Sequence, residues 1–405
     1  MASTETRESL DAPTVVRLVI LACATFIYVT FEVFPVGLIS EIAQDLRQPE
    51  SRIGLLVSGY AVVAAIVTIP SVALATRISR GSALVWSLVV LVIAELLTFF
   101  AANYPMMVAS RVVAALTHGV LWSLVAPAAA ALVPPRKVGA ATAIVFGGPA
   151  LAAILGSPGA TLIGGLVGWR NTALILSAAT VAITVGVAWA VRPRPASHES
   201  ADRVGDVGHA GEPGQARARW NVVAALCALT LVLVSAHFVS FTYFALIVDH
   251  VTRSGGTVLF LTVFGVAGAV GTVLVGRYTD RSPRSTAIVT FAVFVTGTVL
   301  LVISEAASPA GARYTILVFA VVAWGAAYAA IGPILQSGVI RASAADADRA
   351  SSVYVTCYQV GIAAGSAVGA AVLDRSIGAL PWITAVLVTA ALAYALSSRA
   401  RSTFV

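Results

Sequence analysis

Twelve apolar runs of about twenty residues each, set apart by mostly short polar connections, decide what this chain can fold into. They cover roughly 17–40, 53–74, 83–101, 105–133, 139–163, 171–191, 221–248, 258–276, 286–304, 313–340, 350–372 and 381–398. An α-helix rises 1.5 Å per residue, so a run of about twenty crosses a hydrocarbon layer of about 30 Å. A soluble fold has nowhere to put them. Of the 405 residues 59% are apolar and 11% charged, against about 25% charged in soluble domains. The chain therefore reads as an all-α membrane protein. The net charge of +7 does not point to nucleic acid, because the basic residues fall in short clusters between the runs.

One connection is long. Residues 192–220 are rich in Pro, Gly and charge and divide the runs six and six. The expected organisation is a cytoplasmic N-terminal tail (1–16), a first six-helix bundle (17–191), a cytoplasmic central loop (192–220), a second bundle (221–398) and a cytoplasmic C-terminal tail (399–405). No signal peptide is visible in the polar start MASTETRESLDAPTVVR. Eighteen of the 25 Lys and Arg fall on the side that would hold both termini and the central loop, and six on the other. The positive-inside rule makes the rich side cytoplasmic. The halves echo each other: ATRISRGS follows span 2 and GRYTDRSPRS follows span 8, while spans 5 and 11 are both glycine-rich. Two parallel six-span repeats are the arrangement of a rocking secondary transporter.

Small residues mark the expected helix contacts. Gly148, Ala152, Gly156, Ala160 and Gly164 recur every fourth residue in span 5, as do Gly361, Gly365 and Gly369 in span 11. Such stripes let another backbone come close, either as static packing or as a seam along which helices rock. Pro149 and Pro158 should kink span 5, since each removes a backbone hydrogen bond.

Charge inside a span is costly and marks a pathway. Glu32 in span 1, Glu95 in span 3 and Arg111 in span 4 each lie six to eight residues from the outer end, about 9–12 Å deep. All three could meet. Arg111 keeps its charge and needs a carboxylate, for which Glu95 on the adjacent helix is the simplest candidate, as a fixed ion pair. Glu32 is then the extra carboxyl, either a proton carrier or a third member of a structural cluster. A poorly solvated carboxyl can load and release a proton near neutrality, which proton-coupled exchange requires.

His118 and His237 sit near mid-depth in opposite halves. Each could be a packing residue or line a cavity and contact a substrate. Trp122, Tyr243, Tyr328, Gln336 and Gln359 extend that candidate wall, together with Tyr60 and Tyr358. Buried amides need partners, so the two glutamines are the most informative. Such a mixed wall suits a neutral or amphiphilic small molecule. The three cysteines lie inside separate runs and form neither a disulfide framework nor a metal spacing. HExxH, Walker, GxSxG and CxxC signatures are missing, so no enzyme, cofactor, metal or ATP-driven pump is expected.

TFEVFPVGLISEIAQDL (30–46), RVVAALTHGVLWSLVAPAAAALVPP (111–135), VFGGPALAAILGSPGATLIGGLVGWR (145–170), and HFVSFTYFAL with FGVAGAVGTVLVGRYTDR (within 237–281) occur in order. Together they make the chain resemble the major facilitator superfamily. Within it, the chain is similar to the twelve-span drug:proton antiporters, especially bacterial sugar efflux and chloramphenicol-resistance exporters. The resemblance covers about 17–398 and implies two pseudo-symmetric six-helix bundles, the major facilitator fold. It implies that Glu32 is the first-helix acid and Arg111 the fourth-helix arginine tied to proton coupling. It also implies that Gly148, Pro149 and the following Gly156 and Pro158 form the fifth-helix antiporter motif, and that Asp280 and Arg281 form the second-half gating motif. The chain departs from the pattern in two places: ATRISRGS has no Asp, and Cys357-Tyr358-Gln359 stands where these exporters tend to show Phe-Asn. Glu95 belongs to no motif of the family. The function so implied is proton-coupled export of a sugar or drug-like molecule from a bacterial cytoplasmic (inner) membrane by a monomer. A gradient-driven uniporter or importer of the same fold, or a non-transporting membrane receptor, is the alternative.

Overall fold

The computed structural model describes residues 11–75, 77–134, 137–192, 219–253, 255–279, 281–343 and 346–404. Among them, twelve helices are long and apolar enough to span a membrane. They form two bundles of six, and no strand occurs among the described residues. The first bundle holds α1 (Ala12–Glu32), a short α2 (Ile39–Leu46), α3 (Glu50–Ala75), α4 (Arg80–Phe99), α5 (Tyr104–Ala115), α6 (His118–Ala130), α7 (Val138–Leu151), a π-helical turn (Ala152–Gly156), α8 (Ser157–Val167) and α9 (Trp169–Ala190). The second holds α10 (Trp220–Phe241), a short α11 (Phe244–Thr252), α12 (Thr257–Tyr278), α13 (Pro283–Ala306), α14 (Ala310–Ser343), α15 (Ala347–Leu373) and α16 (Ala379–Leu396).

Spans 1 and 7 are shorter than the apolar runs suggested. Span 1 stops at Glu32 and the chain turns through 33–38 before α2. Pro35 cannot donate to a helix ladder, and a Cβ at Gly37 would overlap the Thr161 hydroxyl. Span 7 breaks at the same relative place, at Thr242 and Tyr243, before α11. Both short helices end on an arginine in the left-handed region, Arg47 (φ 51°) and Arg253 (φ 58°). Arginine seldom adopts that conformation, so its recurrence is a structural trace of the repeat that residue identity had hidden.

The glycine stripes find their partners. A Cβ at Gly148, Gly156 or Gly164 would strike Thr25 and the Ala22 carbonyl, Thr30, or Leu38, so the span 5 stripe packs on span 1. Gly361, Gly365 and Gly369 pack in the same way on α10 and Tyr243. Proline explains one further bond. Pro149 has no N–H for the carbonyl of Val145, four residues back, and the Thr25 hydroxyl donates to that oxygen at 2.9 Å. The expected kink appears as the π turn between Pro149 and Pro158.

The bundles meet through α3 against α15, and through α12 against the π turn and α8. Ser58 donates to the Ala363 carbonyl at 3.1 Å, and Gly265 lies against the Ala153 backbone. These contacts occupy mid-depth and the arginine-poor side. Toward the arginine-rich side α3 loses its burial: Ile53 and Leu56 are buried, whereas Ile66 is 69% and Leu74 64% exposed. The seam is closed on one side and parts toward the other.

Candidate functional site

At mid-depth a polar chain crosses from one bundle to the other. The Gln359 amide on α15 lies 2.7 Å from His118 Nε2 on α6. His118 Nδ1 shares a hydrogen bond of 2.9 Å with the Tyr60 hydroxyl on α3. Glu32 Oε2, at the end of α1, is 3.9 Å from the same Nδ1. With the amide donating to Nε2, the imidazole hydrogen sits on Nδ1, between Tyr60 and Glu32. Gln359 Oε1 is buried and has no hydrogen-bond partner. Half a turn of the amide would offer that oxygen to a protonated Nε2. Trp122 stands one helical turn beyond His118, and its indole N–H is likewise buried and unpartnered. These groups form a set with spare donors and acceptors at the seam. Sequence reasoning grouped Glu32 with Glu95 and Arg111 and put His118, Trp122 and Gln359 in a separate mid-depth wall; in the structure Glu32 and Gln359 both reach His118.

Arg111 is 2% exposed. Its Nη1 donates to the Phe31 carbonyl at 2.7 Å, capping the C-terminal end of α1, where a cation meets the negative end of the helix dipole. The guanidinium lies 4.5 Å from the Phe31 ring centroid and 5.7 Å from that of Phe34. Its Nε and Nη2 have no hydrogen-bond partner.

The Glu95–Arg111 ion pair expected from depth does not form. No carboxylate lies within 4.0 Å of Arg111 among the described residues. Glu95 is fully buried on α4, and its Oε1 accepts from Thr180 on α9 at 2.9 Å. The reason is geometric. Pro35 has no N–H to give the Phe31 carbonyl, which accepts from Phe34 N–H at 3.3 Å and keeps a lone pair that the guanidinium reaches instead.

The second bundle supplies an aromatic box. His237 is 1% exposed, accepts from Trp324 Nε1 at 3.0 Å and stacks on Tyr328 at a centroid distance of 3.3 Å. Phe238, Phe241 and Phe264 close the box. Tyr328 reaches Tyr358 by a hydroxyl–hydroxyl bond of 2.7 Å, which points the box toward the seam. Gln336 is exposed, two turns further toward the arginine-rich side. Tyr243 is completely buried between α3 and α15: its hydroxyl donates to the Ser366 carbonyl at 3.3 Å and a Cβ at Gly54 would run into its ring. Arg281 is exposed, and Asp280 lies outside the described residues.

Sequence reasoning passed over Trp324, Tyr28 and Thr180. Tyr28 donates to the Ala114 carbonyl at 2.7 Å. The available signal was spacing: Tyr28 precedes Glu32, and Trp324 precedes Tyr328, by one helical turn.

The chain matches the family profile of the Major Facilitator Superfamily over residues 20–366 and 256–403. It is 37% identical over 383 residues to chloramphenicol efflux pumps of two Mycobacterium tuberculosis strains, H37Rv and CDC 1551, covering 93% of this chain and 90% of each relative. Among solved structures it is similar to the nucleoside transporter NupG, with a TM-score of 0.72 at 10% identity over 94% of this chain and 99% of that one. That likeness is one of fold.

Proposed function

The chain belongs to the Major Facilitator Superfamily, and from that premise we propose that it exports a small amphiphilic organic molecule in exchange for protons. An ion-coupled exchanger needs a gradient-bearing ion, a substrate contact and a way for one to bias the other. One observation carries the reading: Glu32 and Gln359, on opposite bundles, are joined through one imidazole. A proton that reaches Nε2 while Nδ1–H passes its own to Glu32 moves the ring hydrogen from one nitrogen to the other. The Gln359 amide must then turn or let go, and with it the seam. The substrate competes for the same amide and for the free indole N–H of Trp122. Arg111 holds the end of α1, and so the position of Glu32. Glu95 acts from α4 through its field at Arg111.

The residues around His118 support a substrate class. Trp122 and Phe146 offer a flat apolar surface, and Gln359 and the Trp122 indole N–H offer one or two hydrogen-bonding groups. The relatives named as chloramphenicol efflux pumps favour a neutral drug-like compound over a sugar. The working cycle would be alternating access in a bacterial cytoplasmic membrane, with the arginine-rich side and both termini inside.

The test is uptake of radiolabelled chloramphenicol, sugars and cationic dyes into inside-out vesicles with the interior acid. Gradient-driven accumulation that Glu32→Gln abolishes is expected. Downhill flux indifferent to both the gradient and Glu32 would establish a uniporter. Saturable binding without accumulation would establish a receptor.

A further inference from the structure

At the arginine-rich end of the first bundle, away from the seam, lies a pocket of about 360 Å³ between α1, α4, α6 and α9. It is lined by Thr14, Arg17, Arg80, Arg192 and small apolar side chains such as Ala128 and Val191. Three arginines converge there, and among the described residues no acidic side chain lines it. Among the described residues none of the three has a carboxylate or carbonyl acceptor. Arg17 is the most enclosed: it lies over the Trp189 ring at 5.2 Å, and its Nε is buried with no hydrogen-bond partner. The N–H groups of Arg80 and Gly81 open α4 beside the pocket and have no helical acceptor. Like charges brought together with unspent donors cost free energy unless an anion sits among them.

We propose that this pocket binds the phosphate headgroup of an anionic phospholipid. A phosphate oxygen would take the Arg17 Nε–H, and Arg80 and Arg192 would close on it from the exposed side. A lipid source is favoured over free phosphate by what borders the pocket. Trp189 is 43% exposed and Val185, one turn along α9, 67% exposed, with Val16 of α1 50% exposed. These side chains make an apolar strip leading from the charge toward the bilayer, where an acyl chain would lie. Basic pockets between helices at a membrane surface select headgroups in this way.

The experiment is native mass spectrometry of the purified full chain, delipidated and titrated with phosphatidylglycerol or phosphatidylcholine. Saturable binding of one phosphatidylglycerol that phosphatidylcholine does not match is expected. Replacing all three residues with Gln should weaken it about a hundredfold, at roughly a factor of five for each arginine. The corresponding Arg→Lys triple variant keeps the charge and should retain most of the binding, which separates loss of the site from misfolding. Arg47→Gln with Arg375→Gln, at the opposite end, should change nothing. Equal retention of the two lipids, or undiminished binding by the Gln triple variant, would overturn the proposal. So would millimolar inorganic phosphate displacing the lipid, since that would make this a site for a free anion.

Discussion

His118 Nε2 and the side-chain amide of Gln359 stand 2.7 Å apart, 241 residues apart in sequence and on opposite bundles. This contact ties the two halves at mid-depth, and both residues are nearly buried. Breaking it strands a buried imidazole nitrogen at about 1–3 kcal/mol. Gln359→Leu should therefore shift the population away from the state closed on the arginine-poor side. In a background with the three native cysteines changed to serine, a cysteine at Ser58 should then react faster with a maleimide applied from that side. Unchanged labelling would mean that the bond does not hold the seam.

Tyr243 and Gly54 make a steric prediction on the same seam. The ring fills the space that a side chain at 54 would need. Overpacking a tight contact costs about 1–3 kcal/mol. Gly54→Val should keep the bundles apart on that side and reduce transport at least tenfold, with the protein still folded by circular dichroism and gel filtration. Normal transport in that variant would show that the two bundles can close without this contact.

Thr25, Pro149 and Val145 allow a double-mutant cycle. Thr25→Val leaves the Val145 carbonyl with no donor and should cost about 1–3 kcal/mol of stability. Pro149→Ala restores an N–H to the helix and supplies that carbonyl from within. The Thr25 substitution should then be nearly neutral in the Pro149→Ala background, as read from thermal denaturation in detergent. Additive losses would refute the link.

Asp249 supplies a dependence on pH. It lies beyond the end of span 7 on α11, and its carboxyl titrates above the ordinary Asp range, first because it is partly desolvated and second because Glu50 on the other bundle repels it. A carboxyl whose folded value is raised costs stability when ionised, and the cost disappears as pH falls through that value. The state closed on the arginine-poor side should thus firm up from neutral toward mildly acid pH. Asp249→Asn should firm it at neutral pH and flatten this part of the profile. Maleimide labelling at Ser58 across pH 5 to 8, referred to a fully exposed cysteine, reads the effect. An unaltered profile in Asp249→Asn would assign it to other groups.

Much of the architecture was legible from residue order alone, because a bilayer leaves so few choices. Runs of about twenty apolar residues have to be helices, since only internal hydrogen bonding satisfies a backbone in hydrocarbon. The six-and-six division, the glycine stripes and the proline kink in span 5 follow from length, spacing and missing donors. The same reasoning put His118, Trp122 and Gln359 in one mid-depth wall and Glu32 with Glu95 and Arg111 nearer the outer end. Depth alone misled at Glu95, where it implied a partner that the fold assigns elsewhere. Two side chains at one depth can face different neighbours, and only helix rotation decides which. Tertiary structure alone revealed that Arg111 caps the end of α1, that Tyr243 is locked in the seam and that His118 is shared between bundles. Each depends on the angle at which one helix meets another, and a one-dimensional pattern carries depth without carrying that angle.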